Sequence, residues 1–309
     1  MHLSVIIPVY NAAPYLEAAV ASALTQPETR EVILVEDGSS DNSRAICEQL
    51  AARHQIVHLL RHPDSANLGA SVSRNAGMSR ATQDYIAFLD ADDTFLPGRF
   101  HETAQIFSAY PDTDGVYETV GTRYHDASMR ARHQAREKEH IGLSVTPEPD
   151  QLFRALALGR YGFIHLDGLV LRRAALTPDL QFDPELIQCQ DSDFILRASR
   201  RLQLRGGNPS RIVAMRGIHS SNRIFDHQQA MHYRRRFLQK CIDHHFYGSQ
   251  DMIANLYIVS RRVGAGRAYR PFRHPRILGL PVKLLFVACY LLGHPAILVR
   301  LLSRSSGSV

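Results

Sequence analysis

Tyr85-Ile-Ala-Phe-Leu-Asp-Ala-Asp-Asp93 is the stretch that decides how this chain is read. An apolar run from Tyr85 to Leu89 passes straight into three carboxylates, Asp90, Asp92 and Asp93. A run this short and this apolar suits a strand buried on both faces of a sheet. The acids leave its end together, with no cation nearby in sequence. Clustered carboxylates repel one another and persist where a cation or a hydrogen-bonding ligand compensates them. An Asp-rich turn capping the next helix would use the same residues. Taken by itself the stretch does not choose between the two.

The chain before it supplies context. Leu3-Ser-Val-Ile-Ile-Pro-Val9 and Glu31-Val-Ile-Leu-Val-Glu-Asp37 read as two further buried strands, and Ile56 to Leu60 as a third. Between them lie helical stretches, one running to Leu24 with Asn11 as N-cap and Pro14 in the first turn, the other reaching Arg53 after the turn at Gly38-Ser-Ser-Asp-Asn42. Asn67 to Arg80 reads as a glycine-tuned loop and helix. Strands alternating with helices imply a parallel α/β sheet with right-handed crossovers. Ligands of such sheets bind beyond the carboxyl ends of the strands, where Tyr10, Asp37 and Asp90 fall.

Further along, a helix is expected from Pro97 to Ala109 and a strand over Gly115 to Val120, then a polar excursion from Gly121 to Pro149. His165-Leu-Asp-Gly-Leu-Val-Leu171 is another element, Cys189 to Leu202 an amphipathic helix, and Arg211 to Arg216 closes the sheet region. Helical pattern resumes over His227 to Phe246 and Gln250 to Val263. Leu284 to Val299 is the most apolar stretch, but Gly293-His-Pro295 interrupts it, and neither piece reaches the ~20 residues that span a bilayer. Flanked by Lys283, Arg300 and Arg304, it suits either an interfacial anchor on an anionic leaflet or a packed helical hairpin.

Composition sets the outer limits. With 309 residues, 45% hydrophobic and 21% charged, the chain can bury an ample core. A net charge of +6 admits anionic partners such as a nucleotide diphosphate, acidic lipid or nucleic acid. The 4 cysteines stand apart without a CxxC pair, which argues against a zinc site or a disulfide framework. Met1-His-Leu-Ser-Val lacks a basic leader, so the expected location is the cytoplasm.

Four motifs in this order resemble those of the inverting family-2 glycosyltransferases of the GT-A fold: Ser4-Val-Ile-Ile-Pro-Val-Tyr-Asn11, Val35-Glu-Asp-Gly-Ser-Ser-Asp41, Asn67-Leu-Gly-Ala-Ser-Val-Ser-Arg-Asn-Ala-Gly77 and Phe88-Leu-Asp-Ala-Asp-Asp93. The second half resembles the family through Gln190-Asp-Ser-Asp-Phe-Ile-Leu-Arg197 and His219. The resemblance implies a GT-A domain over residues 1–225, with a nucleotide-binding half (1–110) and an acceptor half (111–225). A helical region, 226–309, would follow, with a membrane-surface segment at 278–302.

It also implies roles. Pro8 and Tyr10 would line the base pocket, Asp37 would accept a hydrogen bond from the base, Arg74 would reach the base or diphosphate, and Asp90 would lie near the ribose. Asp92 would bind Mn²⁺ or Mg²⁺, with His219 closing the metal shell or the diphosphate. Asp93 would be support or a helix cap, and Gly69 and Gly77 would permit close packing. Asp191 would be the base that takes the acceptor hydroxyl's proton, with Asp193 as rival; Gln190 stands where the family has Glu, and Glu36 where Asp is common.

The partners implied are a nucleotide diphosphate sugar, with UDP favoured, and a glycan or lipid-linked acceptor, not nucleic acid. Lacking tryptophan, the chain cannot carry the Gln-x-x-Arg-Trp motif of processive polymerases, so a single sugar addition is expected. Two other classes stay open at this point. A nucleotidyltransferase should show a Gly-rich, Lys-containing loop where Tyr10-Asn-Ala-Ala-Pro14 stands. A non-catalytic nucleotide-sugar or glycan-binding module would lack Asp92 or Asp191.

Overall fold

Apolar runs too short for helices and too uniform for a half-exposed sheet must pair with one another, and they do. β1 (Leu3–Val9), β2 (Thr29–Glu36), β3 (Val57–Arg61) and β4 (Tyr85–Phe88) pair in parallel. The computed structural model describes residues 1–125, 130, 140–157, 159, 161–220, 222 and 227–243. Among these, a seven-stranded sheet has the order β10-β6-β9-β4-β1-β2-β3, where β6 is Gly115–Tyr117, β9 Leu169–Arg172 and β10 Leu204–Gly206. Only β9 runs against its neighbours β4 and β6, so the sheet is mostly parallel, as expected.

Register places the site. Val9 lies opposite Glu36 and Ile6 opposite Phe88, so Tyr10, Asp37 and Asp90 emerge at one edge. The bonds Asp37 N–H to Val9 O (2.9 Å) and Leu89 N–H to Ile6 O (3.0 Å) carry the pairing past the strand ends. Val5, Ile6, Ile7, Ile33, Leu34, Ile86 and Phe88 are fully buried, each contributing about 1.5–3 kcal/mol relative to exposure. The helix α3 (Ala70–Arg80) lies close on β1 because Gly77 has no side chain. A Cβ there would stand 2.4 Å from Ile6 Cγ2, so Gly77 is a packing glycine.

The expected Gly115–Val120 strand is in fact two. It leaves the main sheet after Tyr117 and, across Glu118, enters a second sheet as β7 (Thr119–Tyr124). That four-stranded sheet has the order β5-β11-β7-β8, with β5 Thr94–Phe95, β8 His140–Ile141 and β11 Ile212–Ile218. The supposed excursion therefore begins as strand through Tyr124. Its polar letters misled because β7 is buried over Thr119–Gly121 and becomes partly exposed from Thr122 onward. A helix at Pro149–Ala157, which the sequence reading missed, closes the same stretch.

The first helix begins at Leu16 rather than after Asn11, whose φ of +50° and carboxamide serve the neighbouring turn instead. Contacts divide the chain into one unit of Met1–Phe153 with Tyr161–Phe225 and another of Arg154–Arg160 with Asp226–Val309. In the second, the described helix is His227–Asp243. The expected elements at Gln250–Val263 and 278–302 lie outside the described residues. No helix among the described residues is long and apolar enough to cross a membrane.

Candidate active site

The site is assembled from loops at the carboxyl edge of β1, β2 and β4. The first two loops brace one another. Asn11 Oδ1 accepts from Ser40 N (2.8 Å), Ala12 N donates to Ser43 Oγ (2.8 Å), and Ala13 N to Asp41 Oδ2 (3.1 Å). Glu36 accepts from Ser39 N at 2.6 Å, so the longer acid supports the turn. Tyr10 is 40% exposed on this edge and Pro8 half-buried beneath it, an apolar shelf open to a base.

Asp37 is more committed than a free base-reader. Its Oδ1 accepts from Leu68 N (2.7 Å), its Oδ2 from Gly69 N (2.9 Å), and His62 Nε2 stands 3.5 Å away. The carboxylate thus fastens the Asn67–Gly69 loop to the end of β2, which uses part of its accepting capacity. Gly69 is needed there for its φ of +88°, not for close packing, since nothing lies within 4 Å of a Cβ at that position. The same loop leads into α3 and so presents Arg74.

Arg74 reaches Asp90 through Nη2 at 2.6 Å, and its Nε and Nη1 are buried without a partner among the described residues. A buried guanidinium with two orphaned donors is costly unless an acceptor arrives. Burial alone would raise Asp90, but Arg74 first, then His165 and Arg216, hold its carboxyl below the ordinary range. Asp90 stays charged, with 32% of its side chain accessible.

The next two acids part company. Asp92 turns outward, where its Oδ2 meets His219 Nε2 and Asn222 Nδ2, each at 3.0 Å. Asp93 turns inward and is 2% exposed, and its Oδ1 accepts from Gly217 N at 2.7 Å. Burial, then the charge and hydrogen bond of Asp167, push the Asp93 carboxyl well up. Burial raises the Asp167 carboxyl as well, so the two titrate as a coupled pair. Asp93 is therefore support, as expected, but it supports β11 rather than capping a helix.

Beneath this pair lies a floor that the sequence reading did not identify. Asp167 is fully buried and accepts from Asp90 N at 3.2 Å. Arg99 and Glu118 form a fully buried ion pair, and Arg99 Nε donates to the Asp167 carbonyl at 3.1 Å. Gly168 is required here, because a Cβ would lie 2.2 Å from the Glu118 carbonyl. The signal was the run His165-Leu-Asp-Gly168 ahead of an apolar strand, a polar cluster with a glycine where the chain must pass tightly.

Asp191 is half-buried in the first turn of the helix Gln190–Arg201, with its Oδ1 accepting from Ser192 N at 2.7 Å. Asp193, its rival, is buried against Arg197 through Oδ2 at 2.7 Å, a structural pairing. The helix start is set by packing on α3 and β4. Asn75 bonds both backbone groups of Phe182, and the Phe182 and Phe194 rings stack at 4.1 Å, each edge-on to Phe88. Phe88 precedes Asp90 by two residues and Phe194 follows Asp191 by three, so both acids leave one aromatic cluster.

Two donor sets could receive a divalent cation. Asp90, Asp93 and His165 each offer an atom within 4.8 Å of the others, but Asp90 is already paired with Arg74 and Asp93 is buried with its Oδ1 on Gly217 N. Asp92 with His219 is the better fit. A partly accessible carboxylate and an imidazole nitrogen, 3.0 Å apart, make an oxygen and nitrogen donor pair suited to Mn²⁺, and the carboxylate alone suits Mg²⁺.

Comparison with known proteins now bears on this geometry. The sequence pattern of glycosyl transferase family 2 matches residues 4–166, which carry Tyr10, Asp37, Arg74 and the Asp90–Asp93 acids. The chain belongs to that family. The minor teichoic acid biosynthesis protein GgaA of Bacillus subtilis is 29% identical over 199 residues, 62% of this chain and 42% of GgaA. The chain spans about a third of the length of other curated relatives, 32% and 36% in two cases.

Solved structures agree on the fold. S. aureus TarS 1-349 in complex with UDP superposes with a TM-score of 0.61 at 16% identity, covering 93% of this chain and 78% of that one. The mannosyltransferase PcManGT from Pyrobaculum calidifontis, in complex with GDP-Man and Mn²⁺, gives 0.54 at 16% identity, covering 98% and 84%. The family-2 chain has the GT-A fold that its motifs implied.

Proposed function

We propose that the chain transfers a single sugar from a nucleotide diphosphate sugar, UDP-linked in first place, to a hydroxyl of a glycan or lipid-linked acceptor, with inversion. The observation that carries this reading is the Arg74–Asp90 pair beside Asp92–His219, with two guanidinium nitrogens of Arg74 buried and without a partner among the described residues. The named ligands of TarS and PcManGT, UDP and GDP-Man with Mn²⁺, support a nucleotide-sugar donor and a divalent cation. GgaA's place in teichoic acid biosynthesis supports a cell-surface polymer as the acceptor class.

Each residue then has a task. Tyr10 and Pro8 offer the base an apolar face, while Asp37 shapes the pocket through Leu68 and Gly69. Asp90 accepts from the ribose, and Arg74 donates to the phosphate oxygens through Nε and Nη1. Asp92 and His219 would hold the cation, which acts as a Lewis acid toward the departing diphosphate. Asp191 takes the acceptor hydroxyl's proton as that oxygen bonds to the anomeric carbon and the bond to the diphosphate breaks. The attack comes from the face opposite the leaving group, hence inversion.

A panel of nucleotide sugars titrated by calorimetry, with and without Mn²⁺, tests the reading. Binding of one sugar nucleotide that strengthens with Mn²⁺ is expected; a chain that bound none of them would not be this enzyme. For the stretch Leu284 to Val299, which lies outside the described residues, we propose attachment to an anionic cytoplasmic leaflet. Flotation with liposomes should recover the full chain but not one cut before Arg276, and equal recovery would remove the anchor.

A further inference from the structure

Tyr15 has no part in the mechanism above, yet its ring lies flat on His219, with centroids 4.5 Å apart and planes 21° from parallel. His125 closes the other side of the group, 4.9 Å from the Tyr15 ring and edge-on to His219 at 5.9 Å. Three different elements meet here: the loop before the first helix, the end of β7 and the end of β11. Nothing in the spacing of Tyr15, His125 and His219 along the chain announces the cluster.

The stack is built on fixed supports. Tyr15 N bonds to Ala12 O at 2.9 Å, and Ala12 and Ala13 are pinned to Ser43 and Asp41. His125 N bonds to Ile218 O at 3.0 Å, which locks β7 to β11 one residue before His219. Gly217 lets β11 pass this close, because a Cβ there would stand 2.4 Å from the Asp92 carbonyl and 3.0 Å from His125 Nε2. Asn222 Oδ1 accepts from His219 N at 2.6 Å and fixes the backbone of the same turn.

An imidazole presents its nitrogen lone pair in the ring plane, so a partner on its face restrains rotation without covering the coordinating edge. Tyr15 occupies that face, and the ring edge carries the Nε2 that meets Asp92 at 3.0 Å and Asn222 Nδ2 at 3.2 Å. We propose that Tyr15 is a positioning residue for the divalent cation: its ring holds His219 so that Nε2 and the Asp92 carboxylate converge on one ion. The inference rests on the reading that Asp92 and His219 hold the cation. Groups that orient a metal's histidine typically govern its affinity by about 10- to 100-fold. A stacked ring, which makes no hydrogen bond, belongs at the lower end.

The test is a titration of the full chain with Mn²⁺ alone, reading unbound Mn²⁺ by electron paramagnetic resonance. Tyr15→Phe keeps the ring and should bind within about twofold of wild type. Tyr15→Leu keeps the bulk and loses the face, and should bind roughly tenfold more weakly with an unchanged metal-free circular dichroism spectrum. Tyr15→Met serves in its place if the leucine variant does not fold. Wild-type affinity in the ringless variant, or a loss in Tyr15→Phe as large as in Tyr15→Leu, overturns the proposal. Asp92→Asn separates the two layers. If it too keeps wild-type affinity, the cation reading itself fails; if it loses Mn²⁺ while Tyr15→Leu does not, only the role of Tyr15 falls.

Discussion

Two groups of acids flank the end of β4, and a single peptide bond separates them. On the open side, Asp90 and Asp92 keep accessible side chains, and each meets a basic group, Arg74 or His219. On the inner side, Asp93, Asp167 and Glu118 are buried, and they answer to each other and to Arg99. Arg74 holds the Asp90 carboxyl below its ordinary range, whereas burial pushes the Asp93 and Asp167 carboxyls up and Glu118 is paired with the Arg99 guanidinium. Carboxylates stay accessible or are built into the scaffold according to which side of the strand end they fall on. Burial and partners decide this, and composition does not.

The contrast can be broken by experiment. The largest effect is expected at Asp191, outside both groups. Asp191→Asn should lower kcat by roughly 10²–10⁴-fold while donor affinity, read by calorimetry, stays at the wild-type value. Undiminished turnover would leave the reaction without its base. Next comes the inner group. Glu118→Ala strands the Arg99 charge in the core and should cost about 3–5 kcal/mol in urea unfolding, whereas Asp90→Ala should cost far less. Equal losses would erase the distinction between the two sides.

Arg74→Met tests the open side. It removes the orphaned donors and should raise the donor KM by roughly 10- to 100-fold, since hydrogen bonds to charged groups contribute about 1.5–3 kcal/mol. An unchanged KM would mean that those nitrogens never meet the donor. The smallest effect is a matter of sign. The Asp93 carboxyl titrates higher in the native state than in the unfolded chain, near 3.9. Its contribution to stability is full below that value and is lost as pH rises through the native one. Asp93→Asn keeps the neutral form at every pH. It should match wild type at pH 5 within about 1 kcal/mol and gain on it by pH 9. A variant that lost ground with rising pH would show that Asp93 is charged in the native state.

Much of this was legible in the sequence, for identifiable reasons. Parallel strands such as Leu3–Val9 and Thr29–Glu36 are buried on both faces and announce themselves as apolar runs. The register then brings Tyr10, Asp37 and Asp90 to one edge without any further information. Gly77, Glu36 and Asp93 behave as their surroundings in sequence suggested. What stayed hidden depends on long-range contact. That Asp37, expected to accept from the base, also accepts from the Leu68 and Gly69 amides is set by the fold of that loop. Arg99, Glu118 and Asp167 lie far apart in the chain and form a floor only when β9 runs antiparallel between β4 and β6. The strand that changes sheets at Glu118 carries no local mark, because both of its halves are simply extended.

The claim that adjacent acids do opposite work has one direct test. Mn²⁺ affinity is measured for Asp92→Asn and Asp93→Asn side by side, each variant changing one carboxylate to its amide at nearly constant volume. The account predicts that Asp92→Asn loses at least roughly tenfold in affinity while Asp93→Asn stays within about twofold of wild type. Loss in Asp93→Asn with Asp92→Asn unaffected would contradict it, and would move the cation to the set formed by Asp90, Asp93 and His165.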